Sequence, residues 1–93
     1  MAHSSMHSSE IRRIIIDWLD DNIHFGEAEQ LIKSDEQSFL DGGILDSLGF
    51  VRLTVYLEDR FALRIDRKHL TRENFDSLGK IVRYVVQASP SGR

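Results

Sequence analysis

One stretch limits the fold more than any other: a cluster of helix breakers followed by a long helical pattern. Residues 41–44, Asp-Gly-Gly-Ile, are typical of a tight loop. From Ser47 to Phe61 the chain has one glycine and no proline, and its apolar residues recur at helical spacing. Asp46 is a favourable N-cap, because its carboxylate can accept hydrogen bonds from the first free backbone amides. The sequence therefore predicts a capped helix over Ser47–Phe61.

This predicted helix has two apolar stripes, although one is enough to attach it to a core. The first contains Phe50, Leu53, Leu57 and Phe61. The second, called here the outer stripe, lies about 150° away and consists of Leu48, Val51 and Val55. Either the preceding connection covers the outer stripe, or the stripe stays exposed and, with the neighbouring Arg52, docks a partner. We favour the docking surface.

Ser47 is expected in the first turn of this helix, in an exposed position. Free backbone N–H groups and the positive end of the helix dipole favour an anion there, so Ser47 is suited to carry a phosphoryl group. The tetrapeptide Asp-Ser-Leu-Gly recurs at residues 76–79, which makes Ser77 a second candidate. Beyond the tetrapeptide the two stretches diverge, so no internal repeat is indicated.

The order of residues around Ser47 resembles the acyl carrier protein family. The resemblance extends over residues 11–86, and it is carried by Phe39-Leu40-Asp41-Gly42-Gly43-Ile44-Leu45-Asp46-Ser47-Leu48, Leu53, Leu57-Glu58-Asp59-Arg60-Phe61, Ile65 and Glu73-Asn74-Phe75. Only Ser47 follows the approach over residues 39–43. The resemblance therefore implies that Ser47, and not Ser77, is the attachment point of 4′-phosphopantetheine.

The same resemblance implies an all-α, acyl-carrier-like four-helix bundle with three longer helices, one short helix and a long first loop. It implies a carrier that holds acyl or aminoacyl groups as thioesters on the arm and delivers them to partner enzymes. A phosphopantetheinyl transferase would supply the arm from coenzyme A with a divalent metal, and Asp46 would help to present Ser47. Further implied partners are an acyl- or aminoacyl-loading ligase or transferase and a downstream synthase or transferase.

The sequence differs from fatty-acid carriers in ways that bear on which group the arm would carry. Those carriers present an acidic second helix, whereas here Arg52 and Arg60 interrupt the acidic character, and Gly49 stands where a charged residue is usual. Leu-Asp-Ser-Leu-Gly is similar to carriers for D-alanine and other amino acids, which work with a stand-alone adenylating ligase. We therefore expect a specialised acyl or aminoacyl pathway, such as secondary metabolism, and not housekeeping fatty-acid synthesis.

The remaining segments complete the predicted bundle, with a carrier domain over residues 10–87, a disordered leader over 1–9 and a flexible tail over 88–93. A first helix is expected from about Glu10 to Asn22, capped by Ser8 or Ser9, with an apolar stripe of Ile11, Ile14, Ile15, Trp18 and Leu19. A short helix is expected over Asp66–Leu70. The last helix has an apolar stripe of Leu78, Ile81, Val82 and Val85, with Asp76 or Ser77 as its cap.

The long connection between the first two predicted helices is the least regular part of the chain. Glu27–Ile32 is expected to form one or two helical turns. The connection also contains Phe39, Leu40, Ile44 and Leu45, which are too apolar for a free loop and are expected to pack on the bundle. His24 is interpreted as a solvated loop residue, and His69 as an exposed or core-edge one.

Composition argues against several other classes. The chain has no cysteine, so it has no disulfide, thiolate metal site or cysteine nucleophile. Its net charge of −3 argues against a nucleic-acid binder, which normally presents a basic face. No apolar run reaches membrane-spanning length, and the N-terminus lacks a secretory signal. The expectation is a monomeric cytoplasmic protein.

An enzyme is not expected. A serine hydrolase of the nucleophile-elbow type needs Gly-x-Ser-x-Gly, and Leu45 stands two residues before Ser47. A Gly-Asp-Ser-Leu esterase pattern fails as well, because Leu45 and Phe75 precede the two copies of Asp-Ser-Leu. The alternative that remains is a small helical protein-interaction domain without a prosthetic group.

Overall fold

The computed structural model describes residues 7–88, and every regular element in that range is helical. The elements are α1 (Ser8–Leu19), a π-helical turn (Asp20–His24), α2 (Ala28–Leu31), α3 (Ser47–Phe61), a 3-10 turn (Arg67–His69), α4 (Arg72–Phe75) and α5 (Leu78–Ala88). The three longer helices enclose the core, and α2 and α4 are single turns within the connections. The expected all-α carrier-like bundle is confirmed, and α4 is a turn that the sequence did not indicate.

The first helical stretch, α1 together with the π-helical turn, is longer than predicted at both ends. It begins at Ser8, behind His7 as N-cap, and the backbone N–H of His7 donates to the Glu10 carboxylate (2.9 Å). The predicted cap at Ser8 or Ser9 is therefore wrong, and these two residues belong to the helix and not to a leader. The other leader residues, 1–6, and tail residues 89–93 lie outside the part that the structure describes. At the other end the helical course continues through the π-helical turn to His24.

The buried face of α1 is also wider than its predicted stripe. Ile11, Ile15, Trp18 and Leu19 are buried, as the periodicity indicates, whereas Ile14 is only half-buried. Ile16 is fully buried although it lies off the stripe. The spacing of apolar residues predicts which face of a helix is buried. It does not predict how far neighbouring segments cover the residues beside that face.

Helix α3 has the predicted bounds. Leu53, Leu57 and Phe61 are buried in the core, while Phe50 is half-buried at its edge. The helix ends at Ala62, which adopts a left-handed backbone conformation (φ 55°), and the Ala62 N–H donates to the Glu58 carbonyl. The apolar stripe of α5 is buried throughout, as predicted.

The connection from α2 to α3 packs on the bundle through Phe39, Ile44 and Leu45, which are buried as expected, and through Leu40, which is half-buried. The predicted helical turn within it is α2. Within residues 7–88 no helix combines the length and the apolar character that a membrane crossing requires.

Asp76 holds this connection in place. Its carboxylate accepts hydrogen bonds from the Ser38 hydroxyl (2.6 Å), the Leu40 backbone N–H (2.9 Å) and the Arg72 guanidinium (2.9 Å). The Asp76 carbonyl accepts a further bond from the Phe39 N–H (2.8 Å). Burial is the largest single influence on the Asp76 pKa and raises it, but these hydrogen bonds and the Arg72 charge together bring the pKa below its ordinary value.

Candidate functional site

The loop before α3 is anchored so that only its last residues face outward. Gly43 has φ +75°, a left-handed conformation that glycine adopts without steric cost. The backbone N–H groups of Ile44 (2.9 Å) and Leu45 (3.1 Å) both donate to the Phe39 carbonyl. Because Ile44 and Leu45 are buried, the chain enters α3 from the core and emerges at Asp46.

Asp46 is the N-cap of α3, as predicted. Its Oδ1 accepts a hydrogen bond from the Gly49 N–H (2.7 Å), and its carbonyl accepts from the Phe50 N–H (2.8 Å). Ser47 is consequently the first residue of α3, and it is exposed. Its hydroxyl has no hydrogen-bond partner within residues 7–88, so a modifying enzyme meets no competing contact there.

Ser77, the other candidate, lies in a different environment. It is only 1% exposed, and its Oγ accepts a hydrogen bond from the Lys80 N–H (3.2 Å) as the cap of α5. Of the two residues that the sequence left open for this cap, Ser77 is the one that fills the position. A hydroxyl in this position is not accessible to a modifying enzyme without local opening of the bundle.

His24 contributes to the loop that presents Ser47, a role that the sequence did not indicate. Its Nε2–H donates to the Ile44 carbonyl (2.7 Å), and its side chain is half-buried. The interpretation of His24 as a solvated loop residue is therefore wrong. The signal was absent from the sequence because the two residues lie twenty positions apart and meet only after the bundle closes. His69, by contrast, is exposed as expected, with Nδ1 3.1 Å from the Tyr84 hydroxyl.

The outer stripe of α3 is exposed beside Ser47. Leu48, Val51 and Val55 are 69%, 55% and 59% exposed, so the long connection does not cover them. Arg52 is exposed among them, and its guanidinium lies 6.0 Å from the centre of the Trp18 ring. The structure thus brings together the residues of the predicted docking surface.

The surroundings of Ser47 suit a phosphate ester. The first turn of α3 contains no acidic residue after the cap, and its free N–H groups and helix dipole favour an anion. Arg52 lies five residues further along α3 and forms no ion pair within residues 7–88. An open cleft of about 290 Å³ borders the site, lined in part by His24, Leu48, Gly49 and Arg52. These features fit 4′-phosphopantetheine, whose phosphodiester is negative and whose arm needs open space.

A helical bundle that presents a free serine at the start of a capped, exposed helix has the architecture of a carrier domain. A family described as "Phosphopantetheine attachment site" matches residues 9–85. The chain therefore belongs to the phosphopantetheine attachment family, and its covalent cofactor is 4′-phosphopantetheine.

Two relatives of this chain are carriers of one particular kind. The D-alanyl carrier protein of Streptococcus sanguinis (strain SK36) is 36% identical over 52 residues, which cover 56% of this chain and 66% of that protein. The D-alanyl carrier protein of Streptococcus suis (strain 05ZYH33) is 34% identical over 59 residues, covering 63% and 75%. The similarity thus spans about two thirds to three quarters of these relatives.

These matches confirm the expected family, the expected cofactor and the class of carrier for acyl or aminoacyl groups. The family is one of carrier proteins, which are generally not catalysts.

Proposed function

We propose that the chain carries acyl or aminoacyl groups as thioesters on a 4′-phosphopantetheine arm attached to the Ser47 hydroxyl, and that it delivers them to partner enzymes. The single observation that carries the proposal is the contrast between the two serines. Ser47 is exposed and its hydroxyl has no hydrogen-bond partner within residues 7–88, whereas Ser77 is buried as a helix cap. When bound, the arm supplies a thiol, a group that the side chains of this protein lack because the sequence contains no cysteine.

Asp46 is proposed to have two roles at the site. As the N-cap it positions the first turn of α3 through the Gly49 N–H. Its exposed carboxylate also lies next to Ser47, where it is suited to contact the divalent metal that a phosphopantetheinyl transferase holds with coenzyme A. The protein itself contributes position and charge, and the transferase contributes the chemistry.

We further propose an aminoacyl cargo, with D-alanine as the leading candidate, loaded by an adenylating ligase. The support is the similarity to proteins named D-alanyl carrier proteins, together with Arg52 and Arg60 in a helix that is acidic in fatty-acid carriers. We place the protein in the cytoplasm, because coenzyme A and transferases of this type act there, and we propose that it works as a monomer.

The outer stripe and Arg52 are proposed as the surface on which partner enzymes dock. A small apolar patch with charged surroundings suits contacts that form and dissociate quickly, since a carrier must leave each partner. A partner with a basic surface would be repelled by Arg52, which would exclude the acyltransferases of fatty-acid synthesis. An Arg52→Glu variant is expected to be loaded faster than wild type by a malonyl transferase, with a gain that shrinks at high salt. Equal rates at low salt would show that Arg52 does not select partners.

The attachment site is tested by intact mass spectrometry after incubation with coenzyme A and a broad-specificity phosphopantetheinyl transferase. Wild type and Ser77→Ala are expected to gain one phosphopantetheine each, and Ser47→Ala none. Modification of Ser47→Ala would contradict the assignment. Absence of modification in folded wild type would contradict the proposed function and favour the interaction domain without a prosthetic group. Loading with D-alanine, ATP and a D-alanine–carrier ligase, against glycine and L-alanine, tests the cargo.

A further inference from the structure

A second open surface lies along α3, between this helix and α1. It is a groove of about 490 Å³ lined by Trp18, Val51, Arg52, Val55, Tyr56 and Asp59. Trp18 and Tyr56 stack with their ring centres 5.7 Å apart. Arg52 borders both this groove and the cleft beside Ser47, so the two open spaces adjoin at that residue. An arm attached to Ser47 would therefore pass Arg52 to enter the groove.

The groove contains polar groups that the protein does not use. Within residues 7–88, the Trp18 indole N–H and the Tyr56 hydroxyl have no hydrogen-bond partner, and no fully buried side-chain nitrogen or oxygen is left unpaired. The indole N–H is therefore not completely buried, although Trp18, which lines the groove, is only 8% exposed. The amide groups of a pantetheine arm are suitable partners for such donors and acceptors.

The charges along the groove are ordered. Arg52 and Asp59 both line it, and neither forms an ion pair within residues 7–88. They are seven residues apart on α3, which separates them by about 10 Å along the helix axis. Apolar and aromatic side chains lie between them. The order from the Ser47 end is thus positive, apolar, negative.

An aminoacyl-pantetheine arm has the complementary order. Its phosphodiester is negative, its middle combines a gem-dimethyl group with two amides, and its aminoacyl end is a positive ammonium. The arm is about as long as five residues of extended chain, roughly 16 Å, and an aminoacyl group adds roughly another 3 Å. Asp59 is twelve residues after Ser47, about 18 Å along the axis. The extended arm therefore covers the axial distance, and because Asp59 also lies about 120° around the helix from Ser47, the arm runs obliquely across α3 to reach it.

We propose that the groove between α1 and α3 is a resting site for the aminoacyl-loaded arm, in which Arg52 faces the phosphodiester and Asp59 faces the ammonium of the cargo. This inference rests on the proposed function and names its cargo class. An acyl group without an ammonium loses the contact with Asp59, and a malonyl carboxylate is repelled by it. Because Val51 and Val55 belong both to the groove and to the outer stripe, a docking partner displaces the arm as it binds.

Trp18 makes the proposal directly measurable, because it is the only tryptophan in the chain. The transferase is used to attach arms from coenzyme A analogues that end in an amide-linked alanyl or propionyl group, and intact mass verifies each product. Relative to the unmodified protein, the alanyl form is expected to shift Trp18 emission to shorter wavelength, since the arm excludes water from the indole. Backbone amide signals of Val51, Val55 and Tyr56 are expected to shift in NMR spectra, and those of Val85 on α5 are not.

The role of Asp59 is isolated by a matched pair of variants. Asp59→Asn removes the proposed contact, and Glu73→Gln removes an exposed carboxylate from α4 as a control. The ratio of bound to free arm in wild type is expected to be about 1.4- to 5-fold higher for alanyl than for propionyl, the range of an exposed ion pair. Asp59→Asn is expected to abolish that preference, and Glu73→Gln to preserve it.

The outcomes separate the two proposals. A correct mass with unchanged Trp18 emission and unchanged NMR signals overturns the resting site and leaves the carrier function intact. Equal ratios for alanyl and propionyl, or an alanyl preference that persists in Asp59→Asn, overturn the recognition of the ammonium. Failure of the folded protein to accept any arm overturns the proposed function, and the resting site with it.

Discussion

The two copies of Asp-Ser-Leu-Gly have the same sequence, yet they enter their helices one residue out of register. In the first copy Asp46 is the N-cap, and its carboxylate accepts from the Gly49 N–H. In the second copy Ser77 is the cap, and its hydroxyl accepts from the Lys80 N–H. Asp and Ser are both favourable N-caps, so local chemistry permits either register.

The shift of one residue changes which side chains are exposed. In the first copy Ser47 and Leu48 face solvent, and Leu48 is 69% exposed. In the second copy Ser77 and Leu78 are buried, and Leu78 has no exposed surface. A rotation of about 100° per residue is enough to move a side chain from the surface to the core.

What decides the register is the availability of other partners for the aspartate. The Asp76 carboxylate is occupied by Ser38, Leu40 and Arg72, so it is not available as a cap. In addition, the Gly79 N–H donates to the Asp35 carbonyl (2.7 Å), and a Cβ at residue 79 would lie 3.1 Å from that oxygen. The second copy thus anchors the connection that leads to the first, and the first leaves its serine exposed at the start of α3.

The largest expected effect comes from the leucines. Leu78→Ala should lower the free energy of unfolding by about 2–5 kcal/mol, because it leaves a cavity in the core. Leu48→Ala should change it by less than about 0.5 kcal/mol, since the side chain is exposed. Urea unfolding of both variants measures the difference. Similar losses would mean that the two copies do not differ in burial.

The next largest difference in stability is expected between substitutions of the two aspartates. Asp76→Ala should cost about 2–3 kcal/mol, because a charged acceptor is lost and the half-buried Leu40 N–H is left unpaired. Asp46→Ala removes only a cap and should cost about 1 kcal/mol. Asp76→Ala should also increase hydrogen exchange at Phe39 and Leu40, whereas Asp46→Ala should increase it at Gly49. Exchange changes confined to α5 in Asp76→Ala would show that Asp76 does not hold the connection.

Substitution of the two serines is expected to give a smaller difference in stability. Ser77→Ala should lower stability by about 1 kcal/mol through loss of the α5 cap. Ser47→Ala should be neutral within about 0.5 kcal/mol, because the Ser47 side chain is exposed and its hydroxyl makes no hydrogen bond within residues 7–88. Thermal melts of the unmodified proteins compare them. A larger loss for Ser47→Ala than for Ser77→Ala would reverse the structural roles assigned here.

The smallest expected effect is a pH dependence at the acid end. The pKa of Asp76 is lower in the folded protein than its ordinary value of 3.8, so the unfolded chain binds more protons in that range. The stabilisation from Asp76 is therefore complete above pH 3.8 and is lost as the pH falls through the folded-state pKa. Unfolding free energies measured below pH 4 should decline more steeply for wild type than for Asp76→Asn. Parallel profiles would show that Asp76 contributes no acid sensitivity.

Much of the fold could be read from local pattern. The bounds of α3, its Asp46 cap and its two stripes follow from helical periodicity and cap chemistry, which act within a few residues. The buried stripe of α5 follows in the same way. The burial of Ile16, the turn α4 and the bond from His24 to Ile44 could not be predicted, because each depends on segments that are distant in sequence.

By itself the sequence determined the capped start of α3, the position of Ser47 in its first turn and the apolar character of the outer stripe. These are local properties, set by the breaker cluster, the cap residue and the helical repeat. Only the tertiary structure decided that the outer stripe stays exposed, that Asp76 supports the connection, and that the second tetrapeptide begins its helix at Ser77. The physical reason is competition for partners, since a carboxylate or an apolar face takes the best contact that the folded chain brings to it.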